Sequence, residues 1–188
     1  MTSIEVASPA CVMKVINRWE TARQRNGFDE QLDIDTLLAL FKMDPQVKPI
    51  YGFAVEKEVK AQGMQRMGVL IYGLQVVKMF DVILSALGPD EELFYDVVTE
   101  MGEQHCKHGL TPDHFTLLCG AVMGVLETIM DTEWTKDVRA AWSQVIECVN
   151  AEIVKSMLKR MEKTAPSNSL STLSRTGVAS SYSLTRAA

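Results

Sequence analysis

MGEQHCKHGL, residues 101–110, is the stretch on which the reading of this chain turns. It sets His105 near the C-terminal end of a helix that Gly109 stops. Met101 stands four positions earlier, on the same helical face. A second helix opens at once with Thr111-Pro112-Asp113. Glycine just past one helix and proline just inside the next are the expected punctuation. A histidine held in this way presents one imidazole nitrogen to a metal in an apolar pocket. The chain has 3 histidines, so the placement of this one carries weight.

Outward from that stretch, helical spacing dominates and no alternating strand pattern occurs. Val12–Gln24 reads as a first helix, with Val12, Val15, Ile16 and Trp19 on one face. Asp33–Met43 reads as a second, and Asp44–Ile50 as a short, proline-bounded turn or tight helix. From Ala54 to Leu87 no proline interrupts the chain. One straight helix there would run about 50 Å, too long for a chain of this size, so a break is expected near Gly63 or Gly68. Glu91–Lys107, Thr111–Met130 and Trp134–Lys163 complete an all-α architecture of seven to eight helices.

Composition narrows the possibilities. The 188 residues carry a net charge of −5, against non-specific nucleic-acid binding, which needs a basic surface. The N-terminus lacks the pattern of a secretory signal. The most apolar window, Gly68–Leu87, is broken by Gln75, Lys78 and Asp81, so no membrane span is expected. Cys11, Cys106, Cys119 and Cys148 show no metal-binding spacing. They read as reduced thiols of a cytoplasmic protein, mostly small buried hydrophobes. Residues 164–188 turn serine-rich and poor in large apolar groups, a composition that cannot offset its ordering entropy. The expected organisation is an N-terminal extension (1–11), one helical domain (12–163) and a disordered tail (164–188).

Four segments, LFKMDPQVKPIYGF (40–53), SALGPDEEL (85–93), MGEQHCKHGLTPDHF (101–115) and RAAWSQV (139–145), resemble the globins in order and spacing. Trp19 falls where the first helix of such proteins often carries tryptophan. The likeness is to single-domain eukaryotic globins of the neuroglobin and algal kinds, over about Val12–Lys163. It implies a globin fold around a pocket for haem b, with His105 as the proximal iron ligand. His108 then caps its helix or reaches a haem propionate, and His114 faces solvent.

On the opposite side the resemblance leaves two registers. Gln75 lies 30 positions before His105 in a segment that fits the distal helix. Gln62 lies 43 positions before it, in a Lys-Ala-Gln-Gly run. Met79–Leu87 aligns without gaps only in the Gln75 register, which is therefore preferred. A glutamine amide can donate a hydrogen bond to dioxygen, which carries partial negative charge when bound. Glutamine is a poor iron ligand, so the two-histidine state of neuroglobins is not expected at this position. Met79 and Lys78 are the candidates for any sixth protein ligand, but Lys78 is expected to pair with a propionate and Met79 to pack over the iron. The implied pocket wall comprises Leu37, Phe41, Tyr51, Phe53, Met79, Met101, Leu110 and Phe115. Tyr51 departs from the phenylalanine usual at its place. Its added hydroxyl needs a partner when buried; either it bonds near the ligand or the propionates, or Phe53 takes the stacking role.

The function implied is reversible binding of dioxygen or nitric oxide. Enzymatic nitric oxide dioxygenation would need an external reductase, because no flavin or nicotinamide fingerprint is present. Peroxidase chemistry needs a distal acid–base group, which glutamine is not. A haem-free globin-fold module for signalling is a third possibility, and fold alone does not choose among them.

Overall fold

The computed structural model describes residues 7–60, 63–87 and 90–164, the side chains of 63–67 and 73–74 excepted. Among them there is no strand. The six α-helices are α1 (Pro9–Arg23), α2 (Phe28–Met43), α3 (Gly63–Ala86), α4 (Glu91–Lys107), α5 (Pro112–Met130) and α6 (Lys136–Thr164). Short 3-10 helices occupy Pro45–Tyr51 and Asp131–Glu133. Residues 1–6 and 165–188, with most of the expected N-terminal extension and tail, lie outside the description, as does Gln62.

Local chemistry sets the helix ends. Ser8 Oγ accepts the Cys11 N–H at 3.4 Å and Pro9 follows at the first helical position, so α1 begins before Val12. The α2 helix begins five residues ahead of the Asp33 start expected from sequence. Gly27, at φ 78°, turns the chain out of α1, and Phe28 is then buried against Trp19, with ring centroids 5.8 Å apart. Asp29 and Glu30 occupy the first turn, where carboxylates suit the helix dipole. Asp33 is therefore mid-helix and fully buried. The expected break before α3 falls at Gly63. The segment ahead of it is clasped by Lys48, whose buried ammonium donates to the carbonyls of Val55 (3.1 Å) and Lys57 (3.0 Å).

The core forms where α2 crosses α3 and α5, and where α4 and α1 lie on α6. Trp19, Phe80 and Trp142 pack at its centre, with ring centroids 5.7–6.2 Å apart. The Trp19 indole N–H donates to Asp81 Oδ1 at 2.8 Å, and Arg23 bridges Asp81 to Asp29. Helices α1, α2 and α3 are thereby tied at one end. Two segments, 68–86 and 112–133, are apolar and long enough to cross a membrane, contrary to the expectation that none would be. Each has 44% of that apolar window buried inside the bundle, because α3 and α5 supply core to more than one neighbour. Core helices of this kind pass the same length and composition test.

Candidate functional site

The end of α4 is closed in a way that fixes His105. Gly109 takes φ 81°, the left-handed conformation that glycine adopts at low cost. This lets the Leu110 N–H reach back to the His105 carbonyl at 3.0 Å, a Schellman-type closure. Behind it, α4 lies close on α6 at Gly102, where a Cβ would stand 2.7 Å from the Ile153 carbonyl oxygen. Ser156 Oγ donates to the Thr99 carbonyl at 2.8 Å in the same contact.

The imidazole is oriented as firmly as its backbone. His105 Nδ1 stands 2.7 Å from the Met101 carbonyl oxygen. A carbonyl only accepts, so Nδ1 carries the proton and Nε2 keeps its lone pair. The edge of Phe115 meets the ring at 5.2 Å and 86°. Burial lowers the His105 pKa below its usual 6.5; the Met101 carbonyl partly offsets this and His108 lowers it further. A neutral imidazole with an open Nε2 is the form that ligates a metal.

His105 faces a cavity of about 560 Å³ between α2, α3 and α4, within the range of roughly 300–1,000 Å³ usual for cofactor pockets. Leu37, Tyr51, Gln75, Lys78, Met79, Met101 and Leu110 all line it with His105. Phe41, Phe53 and Phe115, expected in the wall, stand one layer behind. Phe41 is buried against the rings of Tyr51 and Phe53, each at 5.5 Å. Phe53 is drawn under α3, where Gly68 leaves it room: a Cβ there would lie 3.2 Å from its Cζ. Phe115 backs His105 rather than the cavity.

Several wall residues were not singled out from sequence. Tyr72 meets Tyr51 edge-on at 5.5 Å, and both face the space. Tyr72, Gln75, Val76 and Met79 recur at helical spacing along α3, and that spacing is the signal that finds Tyr72 and Val76. Ile50, Val82, Gln104 and Leu118 complete the lining; they come from four elements, so no single spacing reveals them. His108 stands at the mouth as the C-cap residue of α4. His114, expected to face solvent, is half-buried and caps α5. Its Nδ1 accepts the Thr111 N–H at 3.2 Å, while its own N–H meets Thr111 Oγ1 at 3.3 Å.

Residues 34–153 match the family model described as Globin. The chain belongs to the globin family. The globin fold also appears in the crystal structure of a hexacoordinated haem protein from an anhydrobiotic tardigrade, determined at pH 4. That structure superposes with a TM-score of 0.68 at 13% identity, covering 80% of this chain and 95% of that one. No curated protein matches the chain at the level of sequence.

The residues of this globin fit the planar iron cofactor its family implies. Among the described residues no three His, Cys, Asp or Glu side chains converge to hold a bare metal ion. Tyr72 and Val82, both lining the cavity, are 41% and 48% exposed, apolar surface suited to a flat apolar group. Lys78 and His108 at the rim carry polar tips suited to carboxylates.

Proposed function

We propose that this globin binds haem b through His105 Nε2 and reversibly takes up dioxygen, or a related diatomic gas such as nitric oxide. One observation carries the reading: His105 commits Nδ1 to the Met101 carbonyl, which leaves Nε2 its lone pair, and lines an apolar cavity of cofactor size. Haem, when bound, would supply the iron chemistry by which a diatomic gas is held. The chain's part is to hold and shield that centre. Leu37, Met79, Met101 and Leu110 exclude water, while Lys78 and His108 meet the propionates.

Two donors stand on the cavity wall opposite in kind to these apolar groups. Gln75 offers an amide N–H₂. Tyr51 offers a phenol that burial keeps protonated, since its pKa is raised by desolvation. Either can donate to a gas with partial negative charge, a bond worth about 0.5–1.5 kcal/mol net. Tyr51→Phe and Gln75→Leu should therefore each speed gas release by up to roughly tenfold if they donate, as read by stopped-flow dissociation. Wild-type release rates in both variants would remove both from that role.

The four cysteines are free, and burial pushes the Cys119 thiol up to about 12, far from its reactive thiolate. This supports a protein that works reduced, in the cytoplasm. The test of the reading is the visible spectrum of the ferrous protein with and without carbon monoxide. A haem band that shifts on adding the gas supports it. Rapid turnover of nitric oxide with an external reductase would move the assignment to an enzyme. A protein that stays colourless with haemin would move it to a haem-free module.

A further inference from the structure

Asp33 is a carboxylic acid with no exposed surface in the middle of α2. Its Oδ1 accepts the main-chain N–H of Val77 at 3.2 Å. Val77 lies in the middle of α3, between Gln75 and Met79, two residues of the cavity wall. Asp33 Oδ2 has no partner, and neither has Thr36 Oγ1, equally buried one turn further along the same helix. Residues three apart on a helix are neighbours. Two orphaned polar atoms three residues apart on the buried face of one helix call for an explanation.

A protonated carboxyl provides one. With its proton on Oδ2, Asp33 carries no charge into the buried seam and still offers Oδ1 to Val77. Ionised and dry, the same group would carry an uncompensated charge between α2 and α3, which is costly. We propose that Asp33 is a positioning residue for the α3 wall of the cavity: seated α3 is the form in which Oδ2 carries a proton, and release of that proton to solvent shifts Val77 and its neighbours Gln75, Lys78 and Met79.

The surrounding charges do not overturn this. The Val77 N–H on Oδ1 and Lys78 on α3 favour ionisation and Asp29 on α2 opposes it, each less strongly than burial opposes it; among the described residues α1, α5 and the 3-10 helix packed on α2 add no charge to that balance. Asp29 is itself held by Arg23 at 2.9 Å. Burial raises the Asp33 pKa to about 7, so the proton is exchanged near neutrality. The inference does not depend on haem: the wall would respond to pH with the cavity filled or empty.

The experiment is nuclear magnetic resonance on the full-length protein as purified, with labelled aspartate carboxyl carbons and methionine methyls. Asp33 Cγ should titrate near neutral pH, and the Met79 methyl on α3 should shift with the same midpoint. The Met101 methyl on α4 should not follow it. In Asp33→Asn, whose amide mimics the protonated acid, the Met79 shift should disappear while the fold and the Met79 position seen at low pH persist. Titration of Asp33 in the ordinary carboxylate range, or a Met79 methyl indifferent to pH, overturns the proposal. Should Asp33→Asn fail to fold, the wild-type carboxyl and methyl titrations decide the matter alone.

Discussion

His105 owes its orientation to atoms that are close in sequence. The Met101 carbonyl takes Nδ1, the Leu110 N–H holds the His105 carbonyl, and Phe115 backs the ring. Gly109 makes the second of these possible. Gly109→Val forces a branched side chain into the left-handed region and should cost at least roughly 1–2 kcal/mol, measurable as a lower urea midpoint. Lys48 gives a second test at this scale. Lys48→Met leaves the Val55 and Lys57 carbonyls without their donor and should cost roughly 1–3 kcal/mol. An unchanged midpoint would show that water replaces the ammonium. The histidine was legible in sequence because glycine and proline bracket its helix end. Depth was not: spacing shows which face Phe41, Phe53 and Phe115 take, but not that each stands behind another side chain.

At the scale of elements, α2 shows where reading by pattern breaks down. Asp33 and Thr36 interrupt its buried stripe, so the polar residue inside the helix was taken for its start. The missing signal lay in Gly27 and Phe28, which turn the chain and bury it five residues earlier. Helices α4 and α5 were legible nearly to the residue, since their caps are written as Asp90, Gly109 and Thr111-Pro112. The contact that seats α4 on α6 was invisible, because it depends on a hydrogen atom at Gly102. Gly102→Ala puts a methyl against the Ile153 carbonyl and Ser156. Overpacking of this kind costs roughly 1–3 kcal/mol and should lower thermal stability. It should also weaken retention of the cofactor, since the contact lies one turn from His105.

For the whole molecule, the buried Asp33 predicts an unusual pH profile. Its carboxyl holds a proton up to about pH 7 in the folded chain, against a usual 3.8. Between those values the folded state binds the extra proton, so this group's contribution to stability falls as pH rises and levels off above about 7. Asp33→Asn should therefore gain on the wild type between pH 5 and 7 in urea unfolding, with a constant difference above that. A difference that shrinks with pH would reverse the assignment of the protonated form.

The globin architecture itself rests on helices whose apolar faces meet around an open cavity, with a neutral histidine on its wall. That arrangement is tested most directly by titrating haemin into the full-length wild-type protein and into His105→Gly, with and without free imidazole. The wild type should saturate at one haem per chain with a sharp band. His105→Gly should lose that band and recover it when imidazole fills the space the side chain left. A variant that binds haemin with the wild-type spectrum, and without imidazole, would contradict the assignment of His105.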